Sequence, residues 1–187
     1  GSEYFVFFLV ILFLATSFEW VKMNTKNNLL KFLGVIYLFL SFCTTFKFRE
    51  NFSYNEFLFI ITICIFTDVG GYVFGKTFGG KKLTKISPKK TVSGSIGSFI
   101  LSYVGFCVTY FYLNDLIFVR LEIETLFFIP FFVSSICQLG DLFVSYYKRK
   151  AKIKNTGNII PGHGGLLDRI DGIIFALPLG FILISLF

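Results

Sequence analysis

The sequence predicts an all-α fold, a polytopic membrane bundle of about six transmembrane helices, on three observations. Of its 187 residues 55% are hydrophobic and 20% aromatic, with 28 Phe and 9 Tyr, more apolar surface than one small core can enclose. Only 16% are charged, and the mean hydropathy is +0.74. The apolar residues come in runs, and ~20 residues at helical rise cross ~30 Å of hydrocarbon. This composition excludes a secreted globule, a nucleic-acid-binding module and a disordered tail.

The runs fall at residues 4–18, 29–46, 57–75, 93–113, 125–147 and 172–187. The first and last are short for a full span, so each also reads as an amphipathic or re-entrant segment. Together they predict one integral-membrane domain over residues 1–187. The chain opens on Gly1-Ser2 without Met, which reads as a tag scar, a fragment or a processed product whose natural N-terminus is missing. Cys43, Cys64, Cys107 and Cys137 lie far apart in apolar stretches with no CxxC spacing, and are expected to be packing residues.

Six spans leave five loops, and basic residues collect on the cytoplasmic side of a membrane. The odd loops hold Lys22 and Lys26, then Lys76, Lys81, Lys82, Lys85, Lys89 and Lys90, then Lys148, Arg149, Lys150, Lys152, Lys154 and Arg169. That is fourteen of the 18 Lys and Arg, against Lys47, Arg49 and Arg120 in the even loops. The two large basic loops therefore share the cytoplasmic side, and both chain ends face the other.

An ionisable group at membrane depth is costly and points to function. Asp68 and Asp141 lie about two turns before the cytoplasmic ends of the third and fifth runs, and Asp168 and Asp171 open the sixth. The last two, three residues apart, share one helix face. Taken singly, Asp68 also reads as a cap or an ion-pair partner, and Asp168 and Asp171 as helix-start acids beside Arg169. Taken together, the four acids converge on one pocket and suit a hard cation such as Mg²⁺. Beside Asp68 the chain runs through Gly70-Gly71, Gly75 and Gly79-Gly80 into Lys81-Lys82 and Ser87-Pro88-Lys89-Lys90-Thr91. Glycines let backbone N–H groups approach anionic oxygens and lysines neutralise them, so the segment suits a polyphosphate, although its spacing is not that of a Walker A loop. Attraction to anionic lipid headgroups is the plainer reading of the same lysines.

From Gln138 the chain reads Gln138-Leu-Gly-Asp141, Ser145, Lys148-Arg149, Lys154-Asn155, Pro161-Gly162-His163-Gly164-Gly165 and Asp168-Arg169-Ile-Asp171. This resembles the signature of CDP-diacylglycerol synthases (phosphatidate cytidylyltransferases) at every spacing. Tyr147 replaces an aliphatic residue or Phe, and Asn155 replaces Asp. The segment from Asp68 to Gly94 is similar to the family's other motif, with Val92-Ser93 in place of Trp-Glu. The resemblance covers about residues 57–187, which would be the catalytic portion.

The resemblance implies that CTP and phosphatidate give CDP-diacylglycerol and pyrophosphate, with Mg²⁺ alone or with a second cation, at the bacterial inner membrane with the site facing the cytoplasm. It implies catalytic roles for Asp141, Asp168, Asp171, Lys148, Arg149 and His163. Ser87, Lys89, Lys90, Thr91 and Arg169 would bind nucleotide. Asp68, Asp141, Asp168 and Asp171 would hold metal, with Asp141 and Asp168 foremost. His163 would donate to a phosphate or hold the turn before the last helix, and Ser145 would bind phosphate or bond back to its own helix. Gln138 and Tyr72 are further pocket candidates. The expected partners are CTP, the phosphatidate lipid and the bilayer; a homodimer is compatible with this, and nucleic acid is not. Two other readings are a CTP-dependent polyprenol kinase and a non-enzymatic ion transporter. The latter predicts charges in both halves of the bilayer, whereas the outer halves of the third and fifth runs carry none.

Overall fold

A computed structural model describes residues 2–23, 27–84, 86–112, 123–159 and 164–186. Among them are seven helices: α1 (Ser2–Met23), α2 (Asn28–Asn51), α3 (Tyr54–Phe78), α4 (Val92–Tyr112), α5 (Ile123–Lys150), α6 (Leu167–Ile170) and α7 (Ile173–Ser185). The first five are long and apolar enough to cross a membrane. α1 is longer than its apolar run suggests, because Glu19 to Met23 continue the helix beyond it. α7 has only 13 residues, yet Leu166, Asp171 and Gly172 are all right-handed helical, so the chain spirals almost unbroken from α6 into α7.

Helix ends are set by local chemistry. At the start of α3 the Ser53 hydroxyl accepts from the Glu56 N–H at 3.2 Å, and the Glu56 carboxylate accepts from the Ser53 N–H at 2.7 Å. The helix therefore starts three residues before the apolar run. This brings one ionisable residue into its outer end, contrary to the sequence expectation, and the charge is consumed by the cap. α5 likewise runs on through the basic Lys148-Arg149-Lys150.

Two buried clusters hold the bundle. Phe59, Ile60, Ile63 and Cys64 of α3 pack with Ile129, Val133 and Cys137 of α5 and with Ala176, Leu177 and Ile184 of α7. Trp20 and Met23 of α1 meet Leu38 of α2, Val144 of α5 and Leu167 of α6. Tyr147 fits this second cluster by turning its ring edge to Trp20, with centroids 5.4 Å apart. All four cysteines are free thiols; Cys64 and Cys137 are core packing as expected, whereas Cys107 is exposed on α4.

The tightest seam is α3 against α4. A methyl group on Gly70 would sit 2.8 Å from the Gly97 carbonyl carbon and 2.9 Å from the Ser98 Cα, and one on Gly94 would meet the Gly71 oxygen at 2.7 Å. Small residues here let two backbones touch. The seam is pinned by the Ser98 hydroxyl, which donates to the Thr67 carbonyl at 2.8 Å.

Candidate active site

Between the ends of α3, α4 and α5, under residues 79–84 and 86–91 and beside α6, the bundle opens into a cavity of about 410 Å³. α3 lines it with Asp68 and Tyr72, and the loop with Ser87, Lys89, Lys90 and Thr91. α5 adds Gln138, Asp141 and Lys148, and the α6 segment adds Asp168, Arg169 and Asp171. All four acids expected from the sequence thus meet in one place. Because α3 continues to Phe78 and α5 to Lys150, Asp68 and Asp141 lie about two and a half to three turns, ~13–15 Å along the axis, before those ends, a little deeper than expected.

The loop over the cavity is a small hairpin. The Leu83 N–H donates to the Lys90 carbonyl at 2.8 Å and the Val92 N–H to the Lys81 carbonyl at 3.0 Å. Gly79 and Gly80 have φ of 57° and 97°, which side-chain-bearing residues rarely adopt, and so turn the chain out of α3. Thr91 ends the hairpin, its hydroxyl accepting from the Gly94 N–H at 3.0 Å, an N-cap for α4. The Thr91 hydroxyl therefore holds the helix, while its neighbours Lys89 and Lys90 face the cavity. Ser93, where the resembled motif has Glu, donates to the Gly79 carbonyl and ties the two ends of the hairpin.

Acids and lysines hold one another. Lys90 pairs with Asp141. Lys148 donates to Asp168 Oδ1 at 2.8 Å and lies 3.7 Å from Asp171, with both lysine and acids largely buried. Asp168 Oδ2 also accepts from the Thr156 N–H at 2.9 Å and the Gly165 N–H at 3.1 Å. Burial alone would push the Asp168 carboxyl up, but the Lys148 bond and the two backbone N–H groups outweigh it and hold it below the usual carboxylate range. Asp171 goes the other way: burial and the nearby Asp141 charge raise it well above that range, against the opposing pull of Lys148 and Lys90.

Arg149 is not brought to the cavity. One residue past Lys148 turns it ~100° around α5, and its guanidinium donates to the Ile153 carbonyl at 3.2 Å on an exposed surface. His163, with Pro161 and Gly162, lies outside the described residues. Ser145 bonds back to its own helix, though to a side chain: its hydroxyl donates to Asp141 Oδ1 at 3.3 Å, one turn back. Gln138 lines the cavity and accepts from the Ser95 hydroxyl at 2.5 Å, and the Tyr72 hydroxyl accepts from Lys76 at 3.4 Å. Asn155 and Asp168 both stand beside Gly164, whose φ is 92°. An Asp at 155 would set a second negative charge there, and the amide avoids it.

The sequence matches the cytidylyltransferase family over residues 1–187. The chain belongs to that family. Among its relatives, the phosphatidate cytidylyltransferase of Rickettsia bellii (strain RML369-C) is 36% identical over 181 residues, covering 90% of this chain and 75% of the relative. That of Bacillus subtilis (strain 168) is 38% identical over 160 residues, 83% of this chain and 57% of the relative. That of Staphylococcus haemolyticus (strain JCSC1435) is 37% identical over 148 residues, 79% and 55% respectively. The cytidylyltransferase match thus reaches back through α1 and α2, beyond the 57–187 segment that carries the two motifs.

One residue of that earlier part escapes sequence reasoning. Glu19 of α1 is buried, and its carboxylate accepts from the Thr156 hydroxyl and from the N–H groups of Leu166 and Leu167. The signal was a lone acid between Phe18 and Trp20, just inside the end of an apolar helix, where an ionisable group is costly.

Proposed function

We propose that this cytidylyltransferase acts on CTP and phosphatidate at the membrane surface. A phosphate oxygen of phosphatidate attacks the α-phosphorus of CTP, the bond from that phosphorus to the bridging oxygen breaks, and CDP-diacylglycerol and pyrophosphate form. The observation that carries this reading is the cavity itself. Four carboxylates, Lys89, Lys90, Lys148 and Arg169 line one opening at the end of an apolar bundle, where a nucleotide from water and a lipid phosphate from the bilayer can meet. Positioning and electrostatic stabilisation supply most of the catalysis in such a transfer, and no covalent nucleophile is needed.

Lys89 and Lys90, on the hairpin before α4, are assigned to the nucleotide phosphates. Lys148 is assigned to the charge developing between the two substrates. Asp168, whose oxygens already take three hydrogen bonds, is assigned to holding Lys148 in place. Asp68, Asp141 and Asp171 then remain to carry Mg²⁺. Among the described residues no three His, Cys, Asp or Glu groups stand close enough to hold a metal by themselves. A Mg²⁺ there would be taken up through one or two of these three carboxylates, with water and substrate phosphate as the other ligands. When bound there, the cation would neutralise charge on the reacting phosphate oxygens.

We place the cavity on the cytoplasmic side of a bacterial inner membrane, supported by the basic residues that crowd that end. The test is to incubate purified protein in detergent with cytidine-labelled CTP, phosphatidate and Mg²⁺. Label in lipid together with released pyrophosphate is expected, and chelation of Mg²⁺ should abolish both. A lipid kinase would leave the cytidine label in water, and that result, or no product, would overturn the reading.

A further inference from the structure

Glu19 does not line the cavity, yet it is 1% exposed and fully engaged. Oε1 accepts from the Leu166 N–H at 3.0 Å; Oε2 accepts from the Leu167 N–H at 2.8 Å and the Thr156 hydroxyl at 2.9 Å. It makes no ion pair among the described residues. Burying a carboxylate without a cation is expensive, and three hydrogen bonds aimed at it are what offset that cost. The surroundings are cut to fit: a methyl group on Gly157 would lie 2.5 Å from Oε1, and one on Gly165 would lie 2.6 Å from Oε2.

The same stretch of chain is held a second time from the cavity side. Thr156 gives its hydroxyl to Glu19 and its N–H to Asp168. Gly165, which also donates to Asp168, immediately precedes the two residues that donate to Glu19. Thr156 and residues 165–167 are therefore clasped between two carboxylates, one at their back and one facing the cavity, and the front one holds Lys148. If Glu19 let go, the Thr156 and Gly165 N–H groups would lose their fixed direction. Asp168 would then no longer aim Lys148.

We propose that Glu19 is a positioning residue for nucleotidyl transfer, fixing Thr156 and residues 165–167 so that Asp168 and Lys148 keep their orientation in the cavity. The role rests on the transferase reading given above. It makes α1, which lies outside the two motifs, part of the working enzyme.

The variants are Glu19→Gln, Thr156→Val and Thr156→Ser in the full chain in detergent. Gln matches Glu in shape, but its NH₂ must face one of two N–H donors. Turnover is expressed per CTP-binding site, counted by calorimetric titration with CTP, so that loss of folded protein does not mimic loss of catalysis. Glu19→Gln should lower turnover per site about ten- to a hundredfold while KM for CTP stays within about threefold. Thr156→Val should lower it several-fold and Thr156→Ser should restore it. Trypsin should cut between Lys148 and Lys154 several times faster in Glu19→Gln than in the parent protein.

Unchanged turnover per site in Glu19→Gln, even with poorer yield, would make Glu19 a stability residue and overturn the proposal. Should Glu19→Gln fail to fold, equal turnover per site in the Val and Ser variants would overturn it instead. If the parent protein makes no CDP-diacylglycerol, the transferase reading fails on its own. The trypsin comparison then decides separately whether Glu19 clasps the loop, and equal cutting rates would defeat that.

Discussion

Replacing Asp168 by Asn tests the centre of the site, because the two side chains have one shape and differ in charge. In the native protein Oδ1 takes the Lys148 ammonium at 2.8 Å and Oδ2 takes two backbone N–H groups at 2.9 and 3.1 Å. An amide oxygen can keep the two backbone bonds at neutral strength, but its NH₂ then confronts the ammonium. Charge-assisted bonds contribute ~1.5–3 kcal/mol each and neutral ones ~0.5–1.5, so the naive loss is several kcal/mol. Asp171, 3.7 Å from Lys148, can take over part of the ammonium's charge, which brings the expected destabilisation to about 2–4 kcal/mol. Lys148, drawn towards Asp171, should leave its working position, and turnover should fall about a hundredfold or more while CTP still binds. The assay is thermal unfolding in detergent beside steady-state kinetics with CTP and phosphatidate. A melting midpoint lowered by about 5–10 °C is expected for a chain of this length. A variant that melts like the parent and turns over within about threefold of it would refute the assignment of Asp168 as the holder of Lys148.

Lys90→Ala removes the partner of Asp141 and a candidate phosphate contact, and should raise KM for CTP about ten- to a hundredfold in neutral detergent. A CTP dependence unchanged in both Lys89→Ala and Lys90→Ala would leave this loop as an attractor of anionic lipid only. Gly70→Ala drives a methyl group into the Gly97 and Ser98 backbone of α4, and should cost at least about 1–3 kcal/mol with loss of activity; normal melting would mean that the seam can open. A cysteine at Ile159, which is exposed, should react with an impermeant maleimide only from the cytoplasmic face, and labelling from outside intact cells would reverse the topology.

The helices were legible because hydrocarbon demands long apolar runs, and the site because an Asp at that depth needs a reason. Helix ends were less legible. Lys148 to Lys150 are polar enough to look like loop, yet they continue α5, and this is what separates Lys148, inside the cavity, from Arg149, outside it. A motif gives neighbours equal standing, whereas a helix sends them in different directions. Ser53 and Glu56 carry a readable capping signature that an apolar-run criterion passes over. Thr91 was read as a phosphate group because hydroxyls suit phosphate, and its hydroxyl has a second use that the letters do not show, the α4 cap; that of Ser145 goes to Asp141. What Glu19 holds was illegible for a different reason: its partners are more than 130 residues away in sequence and are mostly backbone, which has no letter of its own.

The seam between α3 and α4 bears on how the protein meets changes in its bilayer. α1 and α2 touch through rings such as Phe13, Phe39 and Phe42, which can slide and re-pack when helices tilt. Gly70, Gly94 and Gly97 offer no such freedom, since main chain already rests on main chain. A change in membrane thickness or lateral pressure should therefore be absorbed by tilt of the first two helices. The α3–α4 pair, which carries Asp68 on one side and the lysine hairpin between its members, moves as a single stiff plate.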